Sequence, residues 1–186
     1  WHGIQLIQLS KTAFKTPVTK PVTVARRLEK EVKPGEIKFT QEGENVIEAG
    51  DNAIEAPFIY KHGDYYYLFV SYGGFAPDGG YEMRVFRSSS PTGPYTDASG
   101  NNALFTGYQL NYGPKAATNK GMKLIGAMNG WGLMKVGECA QGHNSACQDD
   151  KGRTFLVTHT KFNNGTIGHS IRVYQLYLNK YGWLVT

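Results

Sequence analysis

The sequence lacks any run of about 20 apolar residues, and long segments with the apolar period of an amphipathic helix are scarce. The first absence argues against a transmembrane helix, and the second argues against a helical bundle. No signal peptide is visible, although a removed leader would leave no trace. Glycine and tyrosine are abundant instead, with 23 and 12 residues among 186. This balance favours an all-β chain with many turns.

Cysteine is also scarce. The two cysteines, Cys139 and Cys147, lie on either side of "QGHNSA" and lack the paired spacing of a zinc site. In an exported protein they could close a short disulfide loop, or they could remain free, half-buried thiols. The sequence leaves both alternatives open.

Positive charge exceeds negative charge, with a formal net charge of +5. Many of the basic residues fall early in the chain: Lys11, Lys15, Lys20, Arg26, Arg27, Lys30, Lys33 and Lys38. We interpret this run as a solvated edge or loop, with a polyanion-binding arm as the alternative. The other basic residues are dispersed rather than interleaved with aromatics on one strand face, which argues against a nucleic-acid-binding protein.

Three segments of the sequence recur at a constant distance. The segment "YYYLFVSY" (65–72) aligns with "RTFLVTHT" (153–160), "EMRVFRSS" (82–89) with "SIRVYQLY" (170–177), and "GPY" (93–95) with "YGW" (181–183). The offset is 88 residues each time, for example 153 − 65 = 88. A fixed offset over three consecutive segments indicates one supersecondary unit used twice.

Each unit has the pattern of a β-propeller blade. Strands alternate with turns such as "KHGD" and "DDKG", and a fourth strand from "ALFTG" would complete a four-stranded antiparallel sheet. The segment "GIQLIQLS" (3–10) is similar to a third strand, so the chain starts within a blade. Because a propeller needs at least about four blades and roughly two and a half are visible, we predict that residues 1–186 form the C-terminal part of one larger propeller. The alternative is a β-sandwich with an internal duplication.

One carboxyl group stands in an unusual setting. Glu55, in "NAIEAPFIYKHGDYYYLFVSYGG", lies between Ala and Ile neighbours just before a proline. In a blade, the start of the first strand, the end of the second and the start of the third meet at one rim. Glu55 should therefore be partly desolvated, which favours its protonated form and suits it to protonating a leaving group. An ion pair with Arg84 that joins two strands is the structural alternative.

The same rim should gather polar groups from both units. In the first unit these are Glu55, Ser71, Tyr72, Gly73, Gly74 and Tyr81. In the second unit the corresponding residues are His143, His159, Thr160, His169 and Ser170. We predict that both sets converge on one end of the propeller axis.

These motifs resemble those of a known family. The segments "NAIEAPFIYKHGDYYYLFVSYGG", "GGYEMRVFRSSSPTGPY", "ATNKGMKLIGAM", "GHNSACQDDKG" and "IRVYQLYLNKYGWLV" are similar to the second half of a glycoside hydrolase family 43 enzyme, closest to the endo-α-1,5-L-arabinanases. The resemblance implies a five-bladed β-propeller and hydrolysis with inversion, with Glu55 as the general acid. Inversion needs a second carboxylate roughly 6.5–9.5 Å away. The family's base aspartate and a further aspartate that tunes the acid belong to earlier blades, and neither Asp51 nor Asp64 matches their motifs.

The resemblance also implies a metal ion. His143 in "GHNS" matches the family histidine that approaches an ion, usually calcium, on the axis beneath the sugar site. A single imidazole is an unusual ligand for Ca²⁺, so water would supply most of the coordination. A core histidine bonded to a backbone carbonyl is the alternative.

Four further residues are candidates for contact with sugar. Arg172 could reach hydroxyl groups or could pair strands, as its counterpart Arg84 could. Tyr72 and Gly73 could line the floor of a subsite, where glycine allows close approach. Trp131 could stack on a furanose ring or lie buried.

The resemblance predicts hydrolysis of α-1,5-linked arabinan by a secreted, periplasmic or surface enzyme. From the incomplete set of blades we predict that the N-terminal blades are a second chain, with their loss as the alternative. Two alternatives remain within hydrolases, a β-xylosidase or xylanase and an α-L-arabinofuranosidase. A non-catalytic sugar-binding propeller that kept Glu55 but lost the base is an alternative from another class.

Overall fold

A computed structural model of the chain describes residues 3–26, 54–74, 81–104, 120–126, 136–162, 164 and 168–186. These ranges contain ten β-strands: β1 (Ile4–Leu6), β2 (Val22–Ala25), β3 (Ile54–His62), β4 (Tyr65–Tyr72), β5 (Glu82–Ser88), β6 (Met122–Ile125), β7 (Glu138–Gln148), β8 (Thr154–Phe162), β9 (Ser170–Leu178) and β10 (Leu184–Val185). Within the described ranges no helix has the length and apolarity needed to cross a membrane.

Two sheets repeat one four-stranded antiparallel arrangement. Blade A has the strand order β3-β4-β5-β6 and blade B has the order β7-β8-β9-β10. Ser71 pairs with Met83 in blade A, and His159 pairs with Ile171 in blade B, so the 88-residue offset holds for both inner pairs. The predicted repeat is therefore confirmed. Strands β1 and β2 form a separate antiparallel pair, which accounts for the predicted incomplete blade.

The fourth strand of blade A is not where the sequence predicted it. The segment "ALFTG" contributes no strand at Ala103 or Leu104, and its other residues lie outside the described ranges. Strand β6 takes the edge position instead, with Met83 paired to Ile125. In the described part of the connection between β5 and β6, the Asp97 carboxylate accepts the backbone N–H groups of Ser99, Asn101 and Gly121. Ala103 donates its N–H to the Tyr95 carbonyl, which keeps this segment in the loop.

Two apolar clusters hold the sheets together. The first packs blade A against the β1–β2 pair and includes Val24, Ala25, Ile54, Leu68, Val70 and Phe86. The second fills the junction between the two blades and includes Tyr67, Phe69, Met83, Leu156, Leu176 and Trp183. Each fully buried side chain of this size stabilises the fold by about 1.5–3 kcal/mol. The rim where the blades meet is therefore built on a packed junction.

The face of blade B that points away from the second apolar cluster is apolar and exposed. Its β9 side chains Ile171, Val173 and Tyr177 are 73%, 58% and 56% exposed. Val157 of β8 lies on the same face, because it is directly opposite Val173 in the antiparallel pair. An apolar sheet face of this kind is usually covered by another element.

Arg87 fastens blade A to the last turn of blade B. Its Nη1 donates to the carbonyl oxygens of Tyr181 and Gly182 at 2.9 and 2.6 Å. Its guanidinium also lies over the rings of Trp183 and Tyr65, 4.2 and 4.3 Å from their centroids. One side chain thus combines charge-assisted hydrogen bonds and one cation–π contact across the junction with a second cation–π contact inside blade A.

Replacing Arg87 by Met is expected to lower the free energy of unfolding by about 2–3 kcal/mol, because hydrogen bonds to a charged group and cation–π contacts are both lost. Urea denaturation of the two proteins measures the change. Arg153→Met is the matched control, since Arg153 forms an exposed ion pair with Asp149 in a turn and such pairs contribute at most about 1 kcal/mol. Equal losses in the two variants would contradict the assigned role of Arg87.

Candidate active site

Both blades contribute to one cavity at the rim. Its volume is about 490 Å³. Blade A supplies Glu55 and Tyr81, and blade B supplies His143, His159 and His169. The structure therefore brings together the acid and the three histidines that the sequence placed at one end of the axis.

A β-bulge positions Glu55 at the wall of the cavity. Glu55 pairs with Ser71, and the pairing then shifts by one residue before Phe58. Ala56, the next residue, has a φ of 48°, which bends the strand directly after the acid. Glu55 is half-buried and accepts a hydrogen bond from the Tyr81 hydroxyl, with 3.3 Å between the oxygens. The predicted alternative partner, Arg84, forms its ion pair with Glu82 at 2.6 Å.

A second bulge in β7 positions His143. Gly142 pairs with His159 as Glu55 pairs with Ser71, and His143 has the same φ of 48° as Ala56. The counterpart of Glu55 in blade B is therefore Gly142, and the predicted correspondence with His143 is wrong by one residue. The reason is that the first strands of the two blades are offset by 142 − 55 = 87 residues, whereas the second and third strands are offset by 88.

The two bulges are joined by hydrogen bonds between the blades. The His143 N–H donates to Ser71 Oγ at 3.1 Å. The Asn144 side-chain amide donates to the Ala56 carbonyl at 3.2 Å. The histidine side chain itself is exposed towards the cavity. Blade B is therefore bonded to the residue that follows Glu55 and to the residue that pairs with it.

Gly142 provides space at the centre of this arrangement. A Cβ atom there would lie 2.5 Å from Cε1 of Tyr81 and 2.8 Å from Oγ of Ser71. Sequence reasoning did not identify this role. The available signal was a glycine inside a strand, which marks a bulge or a close approach.

Tyr81 is almost completely buried, with 1% of its surface exposed. Burial raises its pKa to about 12. A hydrogen bond with Ser71 lowers the pKa, and the nearby charge of Glu55 raises it. Its ring stacks on His159, with 5.7 Å between centroids and 15° between planes. The hydroxyl is therefore a fixed donor at neutral pH.

The three histidines form a cluster around His159. Its ring centroid lies 4.5 Å from that of His169 and 5.9 Å from that of His143. Burial, followed by His169, His143 and Lys161, lowers the pKa of His159 to about 4. The His159 ring is therefore neutral at pH 7, and its buried Nδ1 has no hydrogen-bond partner among the described residues.

The described residues that line the cavity do not form a calcium cage. Across the described ranges, no three His, Cys, Asp or Glu side chains are close enough to hold a metal ion together. Ca²⁺ prefers six to eight oxygen ligands, whereas the cavity offers mainly imidazole nitrogens. The donor set is therefore compatible with a hydrated ion at His143 and does not fit direct ligation by several side chains.

Arg172 lies outside the residues that line the cavity. Its guanidinium pairs with Glu138 of β7 at 2.7 Å and lies 5.0 Å from the centroid of the Phe162 ring. These contacts support the alternative in which Arg172 joins strands. Its contact with sugar stays a prediction.

Tyr72 ends β4 on the rim side of blade A, and Gly73 follows it. Tyr72 has no exposed surface and packs in the first apolar cluster, a placement that does not support contact with sugar. Gly73 is partly exposed, with a φ of 91°, and does not line the cavity. Trp131 lies outside the described residues.

The two cysteines are free thiols. Cys139 is buried and Cys147 is exposed, and both belong to the extended strand β7. At about 3.3 Å per residue they are on the order of 25 Å apart, which excludes the disulfide that the sequence left open. Burial raises the pKa of Cys139.

The strand order of the two blades defines a class, the β-propellers, and the similarity to known proteins gives the family. Residues 23–123 match the model described as glycosyl hydrolases family 43. This chain belongs to that family. It is 39% identical over 150 residues to an extracellular endo-α-(1→5)-L-arabinanase of Bacillus subtilis, covering 77% of this chain and 32% of the relative. It is 31% identical over 186 residues to an extracellular exo-α-(1→5)-L-arabinofuranosidase of Cellvibrio japonicus, covering 98% of this chain and 44% of the relative.

Solved structures of the family have the same fold. A Cellvibrio cellulosa α-L-arabinanase complexed with arabinohexaose matches 98% of this chain with a TM-score of 0.70 and 28% identity. An endo-1,5-α-L-arabinanase from Thermotoga petrophila matches 98% with a TM-score of 0.70 and 30% identity. The chain covers 49% and 37% of these two structures. The predicted fold is confirmed, because blades A and B and the β1–β2 pair are part of a five-bladed β-propeller.

Proposed function

We propose that the enzyme containing this chain hydrolyses α-1,5-linked arabinan with inversion, and that Glu55 is its general acid. The observation that carries this proposal is the placement of Glu55. A bulge turns its carboxyl group into a cavity at the junction of two blades, where Tyr81 donates a hydrogen bond to it. An acid held at a wall and reachable from solvent can protonate the oxygen of a leaving sugar.

The base is expected from another part of the propeller. Inversion needs a second carboxylate roughly 6.5–9.5 Å from the acid. Among the described residues that line the cavity, Glu55 is the only one with a carboxyl group. We therefore assign the base aspartate to the N-terminal blades, which a second chain or another part of the same protein would provide.

The open face of blade B supports this assembly. Ile171, Val173 and Tyr177 expose apolar surface that a further blade would cover as the ring closes. His159 pairs with Ile171, so the same face reaches the cavity. A blade packed there would bring its own rim residues to the cavity from the side opposite Glu55.

We also propose that His143 holds a hydrated cation, with calcium expected from the family resemblance. When bound, the ion would supply ordered water and positive charge near the carboxyl groups. The exposure of the His143 side chain towards the cavity supports this role.

The relatives support an extracellular location and leave two modes of action. Those from Bacillus subtilis, Thermotoga petrophila and Cellvibrio japonicus are all named extracellular, which supports a secreted enzyme. The first two are named endo-acting, whereas the third is named exo-acting and matches 98% of this chain. Exo-action on arabinan is therefore the second candidate.

Incubation of the purified enzyme with debranched arabinan tests the proposal, with the intact mass of every polypeptide in the sample measured beside it. Endo-action is expected to release a ladder of arabino-oligosaccharides at early times, while exo-action releases one product size. The expected mass spectrum contains the N-terminal blades. If arabino-oligosaccharides bind but no product forms in an assembled five-bladed protein, the chain belongs to a sugar-binding propeller and the proposed hydrolysis is wrong.

A further inference from the structure

A second residue at the cavity has the geometry to act on the proposed acid. The Tyr81 hydroxyl donates to Oε2 of Glu55, which leaves Oε1 as the oxygen that can carry a proton towards substrate. We propose that Tyr81 is a positioning residue that selects this orientation of the Glu55 carboxyl group. This inference rests on the proposed function of Glu55.

Tyr81 can hold the carboxyl group because its own position is fixed from several sides. Its ring stacks on His159 of blade B. Gly142 of the same blade lies so close that even one added carbon would meet the ring at 2.5 Å. Ser71, which is completely buried, receives the His143 N–H on one side and contacts Tyr81 on the other. Both blades therefore determine where the hydroxyl points.

The hydroxyl also keeps its proton. With its pKa raised to about 12 by burial, Tyr81 donates to Glu55 throughout the pH range in which glycosidases work. Such a donor orients the carboxyl group and does not give up its own proton. The proton that reaches the substrate therefore comes from Glu55.

The hydrogen bond gains strength during the reaction. The proton of Glu55 Oε1 passes to the glycosidic oxygen while the C–O bond breaks and its electron pair moves to that oxygen. A water oxygen forms the new bond to the anomeric carbon, and its proton passes to the base proposed above. Glu55 becomes a carboxylate in this step, and a hydrogen bond to an ionised acceptor is roughly twice as strong as a neutral one. Tyr81 therefore stabilises the transition state more than the ground state.

The test is Tyr81→Phe in the complete enzyme, assayed on two kinds of substrate. Arabino-oligosaccharides have a poor leaving group that needs the acid, whereas a nitrophenyl arabinoside has a leaving group that departs with little protonation. We expect kcat on the oligosaccharide to fall by about 10–100-fold with KM changed less than about 3-fold, since one donor of this kind contributes up to about 10²–10³. On the nitrophenyl substrate we expect a loss below about 3-fold.

Tyr95→Phe is the matched control. Tyr95 is also fully buried, also has its pKa raised to about 12, and donates its hydroxyl hydrogen bond to the Pro91 carbonyl away from the cavity. This variant is expected to be less stable, and any change in its activity is expected to be the same on both substrates. A Tyr81→Phe variant that lost activity equally on both substrates, or on neither, would overturn the inference.

Glu55→Gln, assayed in parallel on the same substrates, separates the two possible failures. A leaving-group-dependent loss in Glu55→Gln without one in Tyr81→Phe rejects the positioning role and leaves the proposed function standing. Full activity of Glu55→Gln on the oligosaccharide rejects the proposed function and, with it, the role of Tyr81.

Discussion

Replacing Glu55 by Gln in the complete enzyme is expected to lower kcat on arabinan by about 10²–10⁴-fold, the usual contribution of a general acid. Glutamine keeps the size of the side chain, and its carbonyl oxygen can still accept the hydrogen bond of Tyr81. It has no acidic proton to give to the leaving oxygen. Binding of arabino-oligosaccharides is therefore expected to stay within about 3-fold of the unchanged enzyme. Initial rates on debranched arabinan and calorimetric titration with an arabino-oligosaccharide measure the two quantities.

Asp64→Asn is the control for this replacement. Asp64 is an exposed carboxyl group in the turn at the other end of the same hairpin, so its variant tests the loss of one negative charge without touching the cavity. We expect it to retain full activity. If Glu55→Gln matched Asp64→Asn in rate, another residue would have to be the acid.

Replacing Gly142 by Ala is expected to damage both stability and turnover. The added carbon would meet the Tyr81 ring at 2.5 Å and the Ser71 hydroxyl at 2.8 Å, and both of these residues are buried. Overpacking of a well-filled interior typically costs about 1–3 kcal/mol. Because the ring that must move carries the hydroxyl bonded to Glu55, kcat should fall as well, by roughly the 10–100-fold expected for loss of that hydroxyl.

Thermal unfolding and initial rates measure these two effects, and Gly168→Ala is the comparison. Gly168 lies next to His169 of the same cavity, yet a Cβ atom there would meet none of the described residues within 4 Å. The control should keep both its melting temperature and its rate. Similar values for the two alanine variants would mean that the space at Gly142 is not needed.

The repeated strands were predictable because their information is local and occurs twice. Alternating apolar residues, turns with glycine and the constant offset identified β4, β5, β8 and β9 and their pairing without any knowledge of the rest of the fold. The fourth strand was placed wrongly because two apolar segments follow β5. The choice between them depends on Asp97, whose carboxylate binds the backbone of Ser99 and Gly121 through contacts that no local pattern reveals.

The residues that line the cavity were predictable, but the residue-by-residue correspondence between the first strands of the two blades was not. The rim argument correctly gathered Glu55, Tyr81 and the three histidines. It equated Glu55 with His143 because the alignment of the second and third strands was extended to the first. A bulge changes the count by one residue without changing the apolar alternation around it. The burial of Tyr72 and the ion pair of Arg172 depend on neighbouring strands, so residue type alone did not predict them.

Glu55 in one blade and Gly142 in the next occupy equivalent positions, and this equivalence limits how similar the sequences of the two blades can be. The two positions are equivalent in the backbone, yet the proposed function needs a carboxyl group at one, and the contacts of Tyr81 and Ser71 leave no space for a side chain at the other. A propeller rebuilt from identical consensus blades would place glutamate at both positions and collide with Tyr81, or glycine at both and have no acid. Two blades that arose by duplication could therefore form this cavity only after their sequences had diverged. One blade then carried the carboxyl group, and the other carried the glycine that gives Tyr81 its space.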